Sequence, residues 1–320
     1  MMFKDIPLEE GLMLMEEAIG KAKKKMQGCP ETKFTCEEYQ KYYECVYSMS
    51  IYHNGDEKSK QLYNQFKRSL EESIETMVVP SLMCQDDDTY LLRQLVLMWS
   101  NYKWMASWLY RFFQYLDRYF IPRRGKDLLS LNELTVRCFQ DLVFKKFYCQ
   151  FQAAALSLIN QEREGLQIDC VLLKNVVHTF VELDKYGQTK YYEDFERAML
   201  ADTSALYTRL ASEWLLCDSA PDYIQKVYWC LSQEKRRASH YLHPRTTKML
   251  LQIVKNLLLE QPANKLFEKK EVENSGVTTD YQEMLSKCAA MTIEGGSSVS
   301  ATCMGEKSLW DYISNSVNSI

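Results

Sequence analysis

The sequence is poor in residues that break helices. Only 11 glycines and 7 prolines occur in 320 residues, and strand-like alternation bounded by turn pairs is scarce, which argues against a fold built on sheet. No apolar run reaches the roughly 18 residues that a membrane-spanning helix needs. The acidic, amphipathic start MMFKDIPLEEGLMLMEEAIGK lacks the basic opening and continuous apolar stretch of a signal peptide. The 11 cysteines are an odd number and contain no C-x-x-C, so a reduced compartment, cytosolic or nuclear, is expected. A net charge of −4 and a pI near 5.8 give no reason to expect nucleic acid or an anionic membrane as a partner.

Chemistry-bearing motifs are missing too. There is no G-x-x-x-x-G-K-[ST], G-x-G-x-x-G, G-x-S-x-G or H-E-x-x-H; GEKS at 305–308 lacks the upstream glycine of a phosphate loop. His240 and His243 in HYLH stand three apart, yet no Cys or carboxylate stands at a helpful spacing and Pro244 follows at once, so a capping or packing role is expected rather than a metal. Acidic pairs such as YYEDFE, 191–196, read as solvated faces or caps. Cys45 has no adjacent His or cation to lower its pKa and reads as an inert thiol. Neither a catalytic residue nor a cofactor or metal site is expected.

What the chain does have is helical periodicity, from its start to about residue 268. Helices are expected over roughly 8–26, 35–53, 57–83 and 89–121 (one helix or two), then 130–162, 170–184, 190–217, 220–242 and 245–261. Thr35 and Glu38 stand at capping-box spacing, and Pro80 is expected to shorten or kink its helix. PRRGKD at 122–127 breaks the pattern. The expected organisation is an all-α, elongated stack of two five-helix units, residues 1–125 and 126–268. A polar, aperiodic tail over 269–320 is expected to be disordered, with SLWDYI at 308–313 a short motif or a fragment of lost structure.

Aromatic residues are concentrated in two places. EEYQKYYECVYSM, 37–49, carries Tyr39, Tyr42, Tyr43 and Tyr47. At about 100° per residue, these four and Val46 fall within one arc of about 140°, with Glu37, Lys41, Glu44 and Ser48 opposite. Such a face serves as core or meets a partner, because a tyrosine suits a site where one end of the ring is buried and the other wet. Tyr39, Tyr43 and Tyr47, at i, i+4 and i+8, form a straight ridge on the edge of the arc. The second place, WSNYKWMASWLYRFFQYLDRYFIPRR at 99–124, has more rings than one buried face can hold.

The stretches LLRQL at 91–95, MWSNYKWMASWLYRFFQYLDRYFIPRR at 98–124, CFQDLVF at 138–144, INQEREGLQIDCVLLKNVVHTFVEL at 159–183, YYEDFERAMLADTSALYTR at 191–209 and PDYIQKVYWCLSQEKRRASHYLH at 221–243, with the tyrosine helix, resemble the N-terminal part of a cullin, closest to plant class-one cullins, over about 1–268. The resemblance implies a stalk of five-helix repeats in the scaffold of a cullin–RING ubiquitin ligase, for ubiquitin-dependent protein degradation. The first repeat would dock a Skp-type BTB-fold adaptor through its second and fifth helices, and the adaptor would carry F-box proteins. Carried onto this sequence, the adaptor-binding positions are Tyr39, Tyr43, Val46, Tyr47 and Tyr115. The third repeat and the end that holds a RING-box protein find no match here, so no RING-box partner is expected, and the chain would act as a non-catalytic scaffold or as a competitor for adaptor. A helical-repeat protein with a different partner is the alternative.

Overall fold

The computed structural model describes residues 5–27, 33–52, 54–83, 87–125, 127–186, 189–272, 283, 286–288 and 290. Most of the expected tail lies outside them, including GEKS and SLWDYI. Every regular element among the described residues is a helix: α1 (Leu8–Met26), α2 (Cys36–Ile51), α3 (Gly55–Ser73), α4 (Val79–Leu82), α5 (Asp88–Tyr115), α6 (Leu131–Phe139), α7 (Lys145–Arg163), α8 (Cys170–Leu183), α9 (Tyr191–Cys217), α10 (Ala220–Tyr241), α11 (Pro244–Lys255) and α12 (Ala263–Val272).

Local chemistry sets the starts. Thr35 Oγ1 accepts from the Glu38 N–H at 3.2 Å, and Glu38 Oε2 accepts from the Thr35 N–H at 2.8 Å, the expected reciprocal cap on α2. Asp87 caps α5 through the Tyr90 N–H at 2.8 Å. Between α2 and α3 the chain turns through Asn54 in the left-handed region, at φ 58. Gly55 follows with its α-carbon so close to α2 that a Cβ would stand 2.2 Å from the Ser50 carbonyl oxygen; any side chain there collides with backbone.

Prolines do not simply end helices here. Single π-helical turns at Ile74–Val78, Leu116–Phe120 and Asn256–Glu260 come just before Pro80, Pro122 and Pro262. In each, the residue before the proline donates its N–H five residues back, Val79 to Ile74, Ile121 to Leu116 and Gln261 to Asn256. In an α-helix the proline ring would strike the carbonyl four residues back; the wider π turn makes room for it. The helix therefore runs on past Pro80 as α4, tightens into a 3-10 turn at Ile121–Arg124, and stops after Glu260. The segment 89–121 is one continuous helical run. A fourth π turn, Gln140–Phe144, joins α6 to α7 with no proline behind it.

Contacts divide the chain into two compact units. The first holds residues 1–157 and 179–189, the second 158–178 and 190–320. The break expected at 122–127 is present, closed by Gly125 at φ 64, but packing in the first unit runs across it. Helix α6 lies on α3, the Tyr63 hydroxyl donates to the Leu129 carbonyl at 3.1 Å, and Asp117 accepts from the Leu131 N–H at 2.9 Å. The core of this unit sets Met15, Ile19 and Ala22 of α1 with Leu62 and Phe66 of α3 and Leu109, Phe112 and Phe113 of α5, all fully buried.

The second unit is centred on Tyr207 and Trp214 of α9, Tyr223 and Val227 of α10, and Leu251 and Leu258 at α11 and just beyond it. Residues 286–288 are helical, and Cys288 is fully buried in this core. Part of the stretch expected to be disordered therefore belongs to the fold. Apolar pattern fades there, and the thiol packs as a small apolar side chain.

Candidate interaction surface

Helix α2 splits its aromatic arc in two. Tyr42, Cys45, Val46 and Met49 are buried, while Tyr39, Tyr43 and Tyr47 are half-exposed. Val46 has no accessible surface. Its assignment to the adaptor contacts is therefore corrected: it is a core residue beneath the face, because α1, α3 and α5 all pack against α2 and take the middle of its arc. Tyr42 belongs to the core as well. Its hydroxyl donates to Glu17 Oε1 at 3.0 Å, and Lys41 Nζ reaches Glu17 Oε2 at 3.0 Å. Burial first, then the bond to Glu17, pushes the Tyr42 phenol up to about 12, while Lys41 and Tyr42 hold the Glu17 carboxyl below its usual range.

The other three phenols join α5 in one continuous surface. Tyr39 and Tyr43 stack, with ring centroids 6.1 Å apart and planes at 20°. Tyr47 meets Tyr115 edge to face at 5.1 Å, and Tyr115 meets Tyr119 at 4.6 Å. Burial, followed by the neighbouring Tyr47, raises the Tyr115 phenol. A shallow groove of about 480 Å³ runs along the ridge, lined by Cys36, Tyr39, Gln40, Tyr43, Glu44 and Tyr47. Of the five expected positions, four thus come together at the surface: Tyr39, Tyr43, Tyr47 and Tyr115.

Several neighbours were not singled out in the sequence. Phe34 lies 5.0 Å from both Trp108 and Phe112, and the Arg111 guanidinium sits 4.7 Å over the Trp108 ring. Tyr119 is 49% exposed. Gln114 Nε2 donates to the Tyr39 hydroxyl at 3.0 Å. The aromatic density of 99–124 signalled the rings; nothing in the sequence marked Gln114.

A second polar cluster lies in the other unit and is sealed. Glu234 Oε1 accepts from Arg163 Nε at 3.0 Å, Arg237 Nη1 at 3.0 Å and the Tyr207 hydroxyl at 2.9 Å. Arg163 also donates to Thr203, Asn160 and Asp202. Burial alone would raise the Glu234 pKa, but the two guanidiniums outweigh it and the carboxyl is held below its ordinary value. This arrangement is structural: one oxygen of its acid takes three donors and the carboxyl is closed to solvent, while Arg237 Nε finds no acceptor.

The remaining candidates resolve simply. His243 Nδ1 accepts from the Arg245 N–H at 3.2 Å and caps α11. Burial pushes the Cys45 thiol up to about 11, which keeps it protonated and unreactive. Among the described residues, no three His, Cys, Asp or Glu side chains are placed to hold a metal ion, and no helix is long and apolar enough to cross a membrane.

A family model described as the cullin alpha solenoid domain matches residues 19–299, which extends the expected similarity past residue 268. Cullin-1 of Oryza sativa subsp. japonica is 45% identical over 273 residues, 85% of this chain and 36% of that protein. Putative cullin-like protein 2 of Arabidopsis thaliana is 38% identical over 281 residues, 87% of this chain and 73% of that protein. Cullin-like protein 3 of the same plant is 35% identical over 239 residues, 75% of this chain and 91% of that protein. The chain thus spans about a third of the rice relative's length and most of the length of the two cullin-like ones.

Proposed function

Because the chain belongs to the cullin family, we propose that it is a non-catalytic scaffold of a cullin–RING ubiquitin ligase and docks a Skp-type BTB-fold adaptor on the phenol face of α2 and the C-terminal end of α5. F-box proteins reach it through that adaptor. One observation supports this reading above the others. Tyr39, Tyr43, Tyr47 and Tyr115 stay half-exposed in one contiguous patch, although the core beneath them is already filled by Tyr42, Val46 and Phe112. Rings that keep part of their surface exposed over a packed core are what a protein interface uses as anchors.

The scaffold acts through proximity, holding a substrate and a charged conjugating enzyme on one rigid body. The 320-residue chain resembles the adaptor-holding end, and we propose that alone it binds adaptor without supporting RING-dependent ubiquitin transfer. The test is a reconstituted ligase built on a complete cullin, with this chain titrated in. Transfer should fall as the chain takes up adaptor. Stimulation, or capture of a RING-box protein by the chain, contradicts the competitor reading; failure to bind adaptor contradicts the docking assignment and favours a different partner for the helical repeats.

A further inference from the structure

The hydrogen bond between Gln114 and Tyr39 fixes which way one interface hydroxyl points. Gln114 Nε2 donates at 3.0 Å to the Tyr39 oxygen and at 3.0 Å to the Arg111 carbonyl. A backbone carbonyl only accepts, so the amide nitrogen, not its oxygen, must face this corner. Both amide protons are then used, and the Tyr39 oxygen is already an acceptor. A phenol has one proton, and that of Tyr39 is left to donate away from α5. The ring itself is held, stacked on Tyr43 at 6.1 Å and set against Phe112 at 6.2 Å. Covering such a donor without giving it an acceptor is costly, so whatever docks here must bring one.

The surroundings favour a charged acceptor. On the α5 side stands the exposed Arg111, whose backbone carbonyl shares the Gln114 amide and whose guanidinium is folded over Trp108, with the exposed Arg123 further along the ridge on the Tyr115 side. The nearest acid lining the groove, Glu44, already takes the Gln40 amide at 2.7 Å. A partner that meets cations at this edge gains from negative charge. Resting on the docking reading above, we infer that the adaptor presents a carboxylate to the Tyr39 hydroxyl, and that Gln114 is the positioning residue that sets this polarity.

Binding of purified Skp-type adaptor is measured by calorimetry for the wild-type chain, Tyr39→Phe, Gln114→Glu and the double variant, at about 0.5 M salt to screen added charge. Tyr39→Phe should weaken binding about tenfold, the scale of a hydrogen bond to a charged group. Gln114→Glu draws the phenol proton inward and turns a bare oxygen toward the partner, so it should weaken binding at least as much. In the Tyr39→Phe background it should cost nothing further. Equal losses in both backgrounds would mean that Gln114 acts through packing or its own contact, and would overturn its role. Neutralising adaptor carboxylates one at a time identifies the acceptor: one change should weaken the wild type about tenfold and leave Tyr39→Phe unaffected, and if none does the acceptor is not a carboxylate. In the free chain, Tyr39→Phe should shift the NMR resonances of the Gln114 side-chain amide; unmoved resonances overturn the internal bond without any partner. A wild-type chain that binds no adaptor overturns the docking reading instead.

Discussion

Two polar clusters of this protein use the same residue types in opposite ways. On α2 and α5, tyrosines sit half-exposed, with an arginine folded over the neighbouring Trp108. Between α7, α9 and α10, Tyr207, Arg163, Arg237 and Glu234 are buried and bond one another, with Arg237 Nε left without an acceptor. The enclosed set is out of a partner's reach and ties Arg163 to α9 and α10. The open set lies partly exposed over a packed core and keeps its capacity for binding. Where polar groups are spent internally they hold structure; where they are left at the surface over a finished core they mark a site.

The largest expected effect breaks the enclosed set. Glu234→Gln leaves Arg163 and Arg237 buried without their shared carboxylate, and removing one partner of a buried ion pair costs about 3–5 kcal/mol. Urea unfolding should show that loss. The same carboxyl sets an acid limb. Its folded pKa lies below the ordinary 4.5, so the stabilisation it gives is present above that value and lost as pH falls through the folded pKa. Unfolding stability of the wild type should drop in that window, and the Glu234→Gln variant should show a flatter acid limb. A variant as stable as the wild type, with an unchanged limb, would mean the charges are not coupled as described.

A smaller effect separates the layers of α2. Val46→Ala removes two buried methyl groups' worth of packing under the tyrosine ridge, about 2 kcal/mol with the cavity it leaves. Unfolding should register it, while adaptor binding by the chain that remains folded should not change. A variant that folds normally but binds poorly would restore Val46 to the interface.

Much of this was legible in the sequence. Helical spacing placed most of the helices from α1 to α11, and the Thr35 and Glu38 pair announced the cap on α2, because both signals are local. Four features were not. Pro80 read as shortening or kinking its helix and Pro122 as part of a break, since a sequence shows the ring but not the π turn that accommodates it. Val46 shares an arc with the tyrosines, and periodicity alone cannot say which part of that arc α5 covers. Arg163 and Glu234 lie 71 residues apart and each looks like part of a solvated face; only folding brings them together. Cys288, in a polar and aperiodic stretch, was lost for the same reason.

The central claim is that the open phenol face exists for binding and not for folding. Adaptor affinity and helical content measured together on the wild type, Tyr43→Ala and Tyr47→Ala test it most directly. The account predicts a loss of at least about tenfold in affinity for each, roughly 1.4 kcal/mol, with the circular-dichroism spectrum and unfolding midpoint close to wild type. Full adaptor affinity in both variants, or affinity that falls only together with helicity, would contradict it and return these rings to the core.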